Sequence, residues 1–273
     1  MEKNELALLK TKAAKIRLGA LEGVHAANSG HPGGSLSIAE LLSYLYFKEM
    51  NVKPEDPKWA DRDRFVLSKG HTAPALYAAL AEKGYFSPDL LKTLRQTDSI
   101  LQGHPDMKLT PGIDMTAGSL GLGISAACGM ALAGKIDKKD YRVYTIVGDG
   151  ESEEGQVWEA AMFASHYKLD NLCVILDFNG LQIDGPIAEV MNPTPHDEKF
   201  RAFGFHVIVI DGHDFDQIEA ALAEAKTVKG KPTAIIAKTT KGKGVSFMEN
   251  QVGWHGKAPS AEQYEAAVAE LNA

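Results

Sequence analysis

The segment Arg142–Asn179 reads RVYTIVGDGESEEGQVWEAAMFASHYKLDNLCVILDFN and contains two apolar runs separated by a helical pattern. The first run, 142–147, is rich in β-branched residues and ends at a tight Gly-Asp-Gly turn that starts at Gly148. The hydrophobic periodicity then predicts a helix over 155–168 and a second strand over 172–178. Strand, turn, helix and strand in this order form the repeating unit of parallel sheets.

Three further apolar runs, Phe65–Leu67, His206–Ile210 and Pro232–Lys238, predict the other strands. They are apolar along their whole length, which is typical of strands buried on both faces. We therefore expect an α/β fold in which a mostly parallel sheet carries helices on both faces, within a single domain spanning residues 1–273. Ligands of such sheets bind beyond the carboxyl ends of the strands.

The other predicted helices are recognised by their periodicity and by capping residues at their starts. They cover residues 4–27, a helix opened by a Ser37/Glu40 capping box after a loop at 28–35, residues 72–83, a helix capped by Asp214, and a final helix over 260–272.

The composition is that of an ordinary globular protein, with 44% hydrophobic and 24% charged residues. A net charge of −7 without a dense Arg/Lys stripe argues against nucleic-acid binding as the main activity. Cys128 and Cys173 are too few for a disulfide framework and favour a reducing cytoplasm as the location. The N-terminus has lysines among its apolar residues and does not resemble a secretory signal.

The longest uncharged stretch, Met115–Gly134, is 20 residues long, which is enough to span a bilayer. It contains five glycines, however, and its apolar content is mostly Ala and Leu. We interpret it as a Gly-rich loop followed by a buried helix, and we expect no membrane partner. The stretch lacks a complete G-x-G-x-x-G, so it gives little support to a dinucleotide-binding domain.

The Gly148-Asp-Gly turn follows one predicted strand, and Asn179 follows the next. Glycines let a backbone approach a ligand closely, and a helix N-terminus offers free N–H groups to a phosphate. The acidic residues after the turn repel a bare phosphate, so a cation is needed between them. Asp149 and Asn179 supply oxygen ligands suited to a hard divalent ion. The alternative is that Asp149 only completes a turn.

Four histidines, His31, His71, His104 and His255, are each next to a glycine in predicted loops. Histidine is the side chain best suited to moving protons near neutral pH, although any one of these could be an ordinary loop residue. No H-x-x-x-H or H-E-x-x-H spacing indicates zinc. Among six lysines between 226 and 243, Lys241 is flanked by glycine and is the one we expect near a phosphate.

Seven motifs together resemble those of transketolases, in family order, from about residue 12 to about residue 260. They are SGHPGG, RFVLSKGHTAPALYA, QGHP, TAGSLGLG, the GDG-to-Asn179 thiamine diphosphate motif, KTTKGKG and WHGKAP. The resemblance implies the thiamine-diphosphate-binding fold of the diphosphate-binding domain, with Mg²⁺ as the metal; Ca²⁺ or Mn²⁺ would accept the same oxygen ligands.

The resemblance also implies roles for individual residues. The metal would be held by Asp149, Asn179 and the carbonyl of Leu181. The diphosphate would be lined by Gly150, Asn179, Lys241 and His255, and the ring portion of the cofactor by Gly118 and Leu120. Sugar hydroxyls and proton movements would be served by His31, His71, His104 and His255, and Glu154 would communicate across a dimer interface.

Two departures from the family pattern stand out. Ser119 and Leu122 replace the usual residues of the G-P-L-G-Q-G loop. Full-length transketolases are also more than twice as long, so the pyrimidine-binding domain and its activating glutamate are missing from the present sequence. We therefore expect the N-terminal subunit of a two-chain transketolase, inactive without a C-terminal partner subunit, in an assembly with two copies of each chain acting on sugar phosphates.

Three alternatives remain open. The chain could serve a related enzyme with a different donor, such as a branched sugar phosphate or dihydroxyacetone. It could be a non-catalytic module that binds the cofactor for regulation, although all four histidines and all three metal ligands are present. It could also be a truncated piece of a longer chain, which the finishing helix at 260–272 disfavours.

Overall fold

A computed structural model describes the whole chain, residues 1–273. Five strands form one parallel sheet: β1 (Arg64–Leu67), β2 (Val143–Gly148), β3 (Leu172–Phe178), β4 (His206–Asp211) and β5 (Thr233–Lys238). Their order across the sheet is β1-β2-β3-β5-β4, and every neighbouring pair is parallel. The predicted α/β fold with a parallel sheet is confirmed, and each strand lies within two residues of its predicted bounds.

Helices cover both faces of this sheet. One face packs against α1 (Lys3–Ala26), α3 (Ala39–Tyr44), α4 (Ala73–Lys83) and α9 (Phe215–Thr227), and the other against α5 (Leu122–Ile136), α6 (Gly155–His166) and α8 (His196–Ala202). Successive residues of a strand point to opposite faces. The core is accordingly divided in two: Ile146 and Ile175 face the first layer, whereas Val147 and Val174 face the second.

The edge strand β4 departs from the expectation that every strand is buried on both faces. Its burial is incomplete, and Val209 is 42% exposed. β4 pairs on one side only, with β5, and so lacks the second neighbour that shields the inner strands.

The predicted Ser37/Glu40 capping box is wrong. The predicted loop at 28–35 contains a short helix, α2 (Pro32–Leu36), and α3 then begins at Ala39 without a side-chain cap. The Ser37 hydroxyl donates to Gly34 and to the carboxylate of Asp177 instead. The side chains of Ser37 and Glu40, which the sequence spacing assigned to the helix start, therefore contact residues distant in the sequence.

The remaining helix starts follow the predictions. Asp214 accepts hydrogen bonds from the backbone N–H groups of residues 216 and 217 and caps α9. The C-terminal helix α10 (Ala261–Asn272) has a complete Ser260/Gln263 capping box. The chain also forms α7 (Ile187–Val190), a π-helical turn at Leu45–Glu49 and 3₁₀ turns at 70–72, 88–93, 150–153 and 252–254. None of the helices combines the length and apolarity needed to cross a membrane.

Candidate functional site

A polar cavity of about 490 Å³ opens at the carboxyl ends of β1, β2 and β3. Ten of the residues singled out in the sequence line it, although they come from segments far apart in the chain. They are His71, Gly118, Leu120, Asp149, Gly150, Glu154, Asn179, Leu181, Lys241 and His255.

Asp149 lies directly after β2 and is almost completely buried. Its Oδ1 accepts from the Gly150 N–H at 2.8 Å, and its Oδ2 accepts from the Gly180 N–H at 2.5 Å. Burial, followed by the nearby Asp177 carboxylate, raises the pKa of Asp149 to about 7. The Gly150 and Gly180 N–H groups and the Lys69 charge therefore compensate its negative charge only in part, and a bound cation would complete the compensation.

Asn179 and Leu181 present further oxygens close to Asp149. The Asn179 side-chain amide donates to Asp177 Oδ2 at 2.9 Å, which fixes the side from which its oxygen is available. That oxygen accepts from the Leu181 N–H at 3.1 Å, and the Leu181 carbonyl accepts from Lys241 Nζ at 3.1 Å. One carboxylate, one amide and one carbonyl form an all-oxygen set that fits Mg²⁺, which keeps waters and phosphate oxygens in its remaining positions.

This ligand set differs from the usual metal sites built from several charged side chains. No group of three or more His, Cys, Asp or Glu side chains is arranged to hold a metal ion. A cation at Asp149 would therefore depend on neutral protein oxygens and on an anionic ligand for much of its coordination.

Lys241 is a buried cation in the same cavity. Besides the Leu181 carbonyl, its ammonium contacts His255 Nδ1 at 2.9 Å. Burial lowers the pKa of Lys241 to about 8, against the opposing effect of the Asp149 charge. Because an ammonium only donates, His255 Nδ1 accepts here, and the His255 ring is neutral. An anionic ligand would be a better partner for the Lys241 ammonium than the Leu181 carbonyl or His255 Nδ1.

Three of the four predicted histidines form one cluster. The ring centroids of His31, His71 and His255 lie 5.1 to 5.4 Å apart. Burial lowers the pKa of His31 to about 4 and that of His255 to about 3, and lowers the pKa of His71 as well. All three rings are therefore neutral near pH 7, when each has one N–H to donate and one nitrogen to accept a proton.

His31 and His104 do not line the main cavity but adjoin it. The Nδ1 of His31 is buried without a hydrogen-bond partner in the chain. His104 lies beside Gly118, where a Cβ would be 3.6 Å from its ring. Burial, followed by the charge of Arg95, lowers the pKa of His104. The structure thus places all four predicted histidines at one end of the cavity region.

Glu154 stands at the mouth of the cavity as the residue before α6. It is exposed and makes no side-chain cap for the helix. Gly118 and Leu120 belong to the loop before α5, and Gly121 of this loop lies beside Glu154, where a Cβ would be 3.2 Å from the Glu154 Cβ. Glu154 and this loop therefore face the open side of the site.

A buried network beneath the cavity escaped the sequence analysis. Lys69 donates from Nζ to Asp177 Oδ2 at 2.6 Å and to the Gly34 carbonyl at 2.8 Å. The other Asp177 oxygen accepts from the Thr239 hydroxyl. The available signal was an aspartate at the end of the otherwise apolar β3, because a carboxylate in such a place needs a buried partner.

Glu151 is a second buried carboxylate that the sequence analysis missed. Its Oε1 accepts from the Ser68 hydroxyl and from the Gly121 N–H at 2.9 Å, and its Oε2 accepts from the Gly148 N–H at 2.9 Å. Burial raises the pKa of Glu151, against these hydrogen bonds. Glu151 thereby connects the loop before α5 to the turn that carries Asp149.

His196, at the start of α8, was missed as well. It is buried, and its Nε2 lies 3.1 Å from the Ser152 hydroxyl, which donates to the Asp149 carbonyl at 2.6 Å. Its Nδ1 is buried without a partner in the chain. His196 thus supports the Asp149 backbone through the Ser152 hydroxyl.

The parallel sheet and the cavity at its carboxyl edge define the class of the protein: an α/β domain that holds a polar ligand beyond its strand ends. Residues 9–271 match the family model described as "Transketolase, thiamine diphosphate binding domain". The chain belongs to this family.

Two similar proteins match along nearly their whole length. The 6-deoxy-6-sulfo-D-fructose transketolase subunit SqwG of Clostridium sp. (strain MSTE9) is 52% identical over 96% of both chains. One subunit of the apulose-4-phosphate transketolase of Phocaeicola vulgatus is 45% identical over 97% of this chain and 94% of its own.

Longer transketolases match only in part. The human transketolase is 44% identical over 99% of this chain, which spans 43% of the human protein. Among solved structures, the Leishmania mexicana transketolase has a TM-score of 0.91 at 36% identity, and the Campylobacter jejuni enzyme 0.92 at 35%. The matches cover 97% of this chain and 41% and 43% of those chains. The chain therefore spans less than half the length of these transketolases.

Proposed function

We propose that this chain is the diphosphate-binding subunit of a two-chain transketolase. The enzyme would transfer a two-carbon ketol unit from a ketose phosphate to an aldose phosphate. The observation that carries the proposal is the convergence of oxygens from Asp149, Asn179 and Leu181 with the buried Lys241 in one cavity. A divalent cation and a diphosphate together match this mixture of acidic, neutral and basic groups.

When bound, thiamine diphosphate supplies the stabilisation of the carbanion, and the protein supplies binding and orientation. Asp149, the amide oxygen of Asn179 and the carbonyl of Leu181 hold Mg²⁺, and Ca²⁺ or Mn²⁺ suits the same oxygens. Gly150 offers backbone to the diphosphate. Lys241, together with Asn179, binds the same group.

The remaining site residues act on the ring portion of the cofactor and on the sugar. Gly118 and Leu120 contact the ring portion, and His255 takes part in both the diphosphate site and the sugar site. Because their rings are neutral, His31, His71, His104 and His255 hold sugar hydroxyls and accept or donate protons there. Glu154 reaches across the subunit interface from the mouth of the cavity.

A second chain completes the active site in this proposal. The present chain spans less than half of the human transketolase, whereas two similar proteins of matching length are named as subunits. This supports a C-terminal subunit that carries the pyrimidine-binding domain and its activating glutamate, with two copies of each chain in the assembly.

Reconstitution tests the proposal. The purified chain is assayed alone and then with the product of a neighbouring gene that encodes the pyrimidine-binding domain, in thiamine diphosphate and Mg²⁺. We expect no ketol transfer by the chain alone and full activity from the mixture. Full turnover by the chain alone would overturn the two-chain proposal. Binding of the cofactor without transfer in any mixture would favour a regulatory module instead.

A second candidate keeps the chemistry and changes the donor. The names of the two similar subunits refer to 6-deoxy-6-sulfo-D-fructose and to apulose-4-phosphate, which supports a donor other than a common ketose phosphate. A panel of donors, including a branched sugar phosphate and dihydroxyacetone, distinguishes the candidates. The highest kcat/KM of the reconstituted complex identifies the donor.

A further inference from the structure

The turn between β4 and α9 is held against the segment that carries Lys241. The Gly212 N–H donates to the Lys238 carbonyl at 2.8 Å. A Cβ at Gly212 would lie 2.6 Å from Thr239 Cγ2, so only glycine permits this approach. The close packing places the next residue, His213, beside Thr240.

His213 lies between a hydrogen-bond donor, the Thr240 N–H, and a hydrogen-bond acceptor, the Glu40 carboxylate. The Thr240 N–H donates to His213 Nε2 at 2.8 Å, and His213 Nδ1 lies 3.0 Å from Glu40 Oε2. Because Nε2 accepts, its lone pair is free of a proton, and Nδ1 carries the hydrogen of the neutral ring. Nδ1 therefore donates to Glu40, and this hydrogen bond fixes the orientation of the ring.

Glu40 is itself held by Arg17. Arg17 Nη2 lies 2.7 and 2.6 Å from the two Glu40 oxygens, and both side chains are buried. Burial raises the pKa of Glu40, but the Arg17 guanidinium and the bond from His213 outweigh it and hold this pKa below its usual range. Glu40 is thus an ionised acceptor aimed at His213.

The segment 239–242 is anchored at several points, and one of them is the Lys241 carbonyl, which accepts from the Asn250 N–H at 2.9 Å. The Thr239 N–H donates to Phe178 O at 3.0 Å, and the Gly242 N–H donates to Gly33 O at 2.9 Å. Between them, the Thr240 N–H depends on His213 alone. The Thr240 peptide directly precedes Lys241, so the hydrogen bond at the Thr240 N–H contributes to where the Lys241 side chain enters the cavity.

We propose that His213 is a positioning residue for Lys241: the series Arg17–Glu40–His213 holds the Thr240 amide and thereby sets the ammonium of Lys241 at the diphosphate end of the cavity. The importance of Lys241 for the cofactor rests on the proposed function, whereas the coupling of His213 to Thr240 does not.

Two substitutions at His213 separate the positioning role from general stability. In His213→Asn, the shorter amide can still contact Glu40, but it does not reach Thr240. In His213→Gln, the amide oxygen reaches the place of Nε2 and can accept from Thr240. The matched control is His206→Asn, at the other end of β4, where the ring pairs with Glu224 far from the cavity.

Backbone hydrogen exchange of the peptide covering 239–242 is the first measurement. We expect exchange roughly fivefold faster in His213→Asn, as one net hydrogen bond is lost, and exchange near the wild-type rate in His213→Gln and in the control. The second measurement is the affinity of the reconstituted complex for thiamine diphosphate with Mg²⁺. We expect it to fall roughly fivefold in His213→Asn and to recover in His213→Gln.

The outcomes are distinct. Unchanged exchange in His213→Asn, or equal losses in the Asn and Gln variants, would overturn the positioning role. Faster exchange with unchanged cofactor affinity would also overturn it, because Lys241 would then be placed without His213. If the wild-type complex binds no thiamine diphosphate, the proposed function fails, and faster exchange in His213→Asn alone would still support the coupling to Thr240.

Discussion

Lys69 and Asp177 form a buried ion pair across two strand ends: Nζ lies 2.6 Å from Oδ2, and neither side chain is more than 2% exposed. Lys69 follows β1 and Asp177 lies in β3, with β2 between the two strands. Asp177 also accepts from Asn179 and Thr239, so one carboxylate organises groups on three sides of the cavity floor.

Removing the charge of Asp177 should destabilise the chain. In Asp177→Asn the Lys69 ammonium stays buried without its counter-charge, and breaking such a pair costs about 3 kcal/mol or more. The free energy of unfolding, measured with urea, checks this. The control Asp61→Asn removes an exposed pair with Lys139, and because solvent screens such pairs the free energy of unfolding should change little. Similar losses in the two variants would contradict the role assigned to Asp177.

Asp149 should be essential for the cofactor and dispensable for the fold. Its raised pKa reflects the cost of burying its charge beside Asp177, which offsets the hydrogen bonds from the Gly150 and Gly180 N–H groups, so Asp149→Ala should lower the free energy of unfolding of the cofactor-free chain by only about 1 kcal/mol. Thiamine diphosphate with Mg²⁺ at about 100 times its Kd should stabilise the wild-type complex by about 2.7 kcal/mol. Thermal unfolding of the reconstituted complex should show no such gain in Asp149→Ala.

The matched control for this experiment is Asp140→Ala, which changes a carboxylate outside the cavity. It should keep the full stabilisation by the cofactor. An Asp149→Ala complex that gains as much as the control would remove Asp149 from the metal site and, with it, the main support for the proposed function.

The predicted features that the structure reproduces are those that depend on local sequence. The turn at Gly148 and the bounds of β3 follow from apolar runs and from glycines, which act within a few residues. The rule that parallel strands gather ligands at their carboxyl ends then places Asp149 and Asn179 together. The sequence could therefore predict that Asp149 and Asn179 line the same cavity.

The features that the sequence analysis missed depend on tertiary contacts. Ser37 matched the local pattern of a cap, but its hydroxyl contacts Asp177, which lies 140 positions away in the sequence. The pairing of Lys69 with Asp177 spans 108 positions and exists only because of the strand order. Neither the strand order nor the depth of burial can be read from spacing, so these partners could not be identified from the sequence.

Gly242 should resist substitution more strongly than another glycine with a similar backbone. Both Gly242 and Gly230 have positive φ, at 78° and 73°. A Cβ at Gly242 would lie 2.3 Å from the Met248 carbonyl oxygen, whereas nothing lies within 4 Å at Gly230. Gly230→Ala should therefore cost only the backbone preference, about 1 kcal/mol, and Gly242→Ala should cost more.

Urea unfolding of the two variants measures this difference, and cofactor affinity adds a second comparison. Because Gly242 follows Lys241, displacement of its backbone should also weaken binding of thiamine diphosphate, which Gly230→Ala should leave unchanged. Equal unfolding free energies for the two variants would mean that the segment after β5 adapts freely and does not fix Lys241.

His196 should make the chain less stable in mild acid. Burial, followed by the charge of Lys199, lowers the pKa of His196 from 6.5 to about 4, so the folded state keeps the ring neutral where the unfolded chain would protonate it. The stabilising effect is complete above pH 6.5 and is lost as the pH falls towards 4. At about pH 5 the loss should be about 2 kcal/mol, given about 1.4 kcal/mol for each pH unit below the unfolded value.

Unfolding free energies at about pH 7.5 and about pH 5 should therefore differ less in His196→Gln than in wild type, whereas the exposed control His166→Gln should keep the wild-type difference. The other buried histidines contribute with the same sign in every variant, so only the difference between variants reports on His196. An unchanged pH dependence in His196→Gln would show that the wild-type His196 ring is protonated equally in the folded and unfolded states.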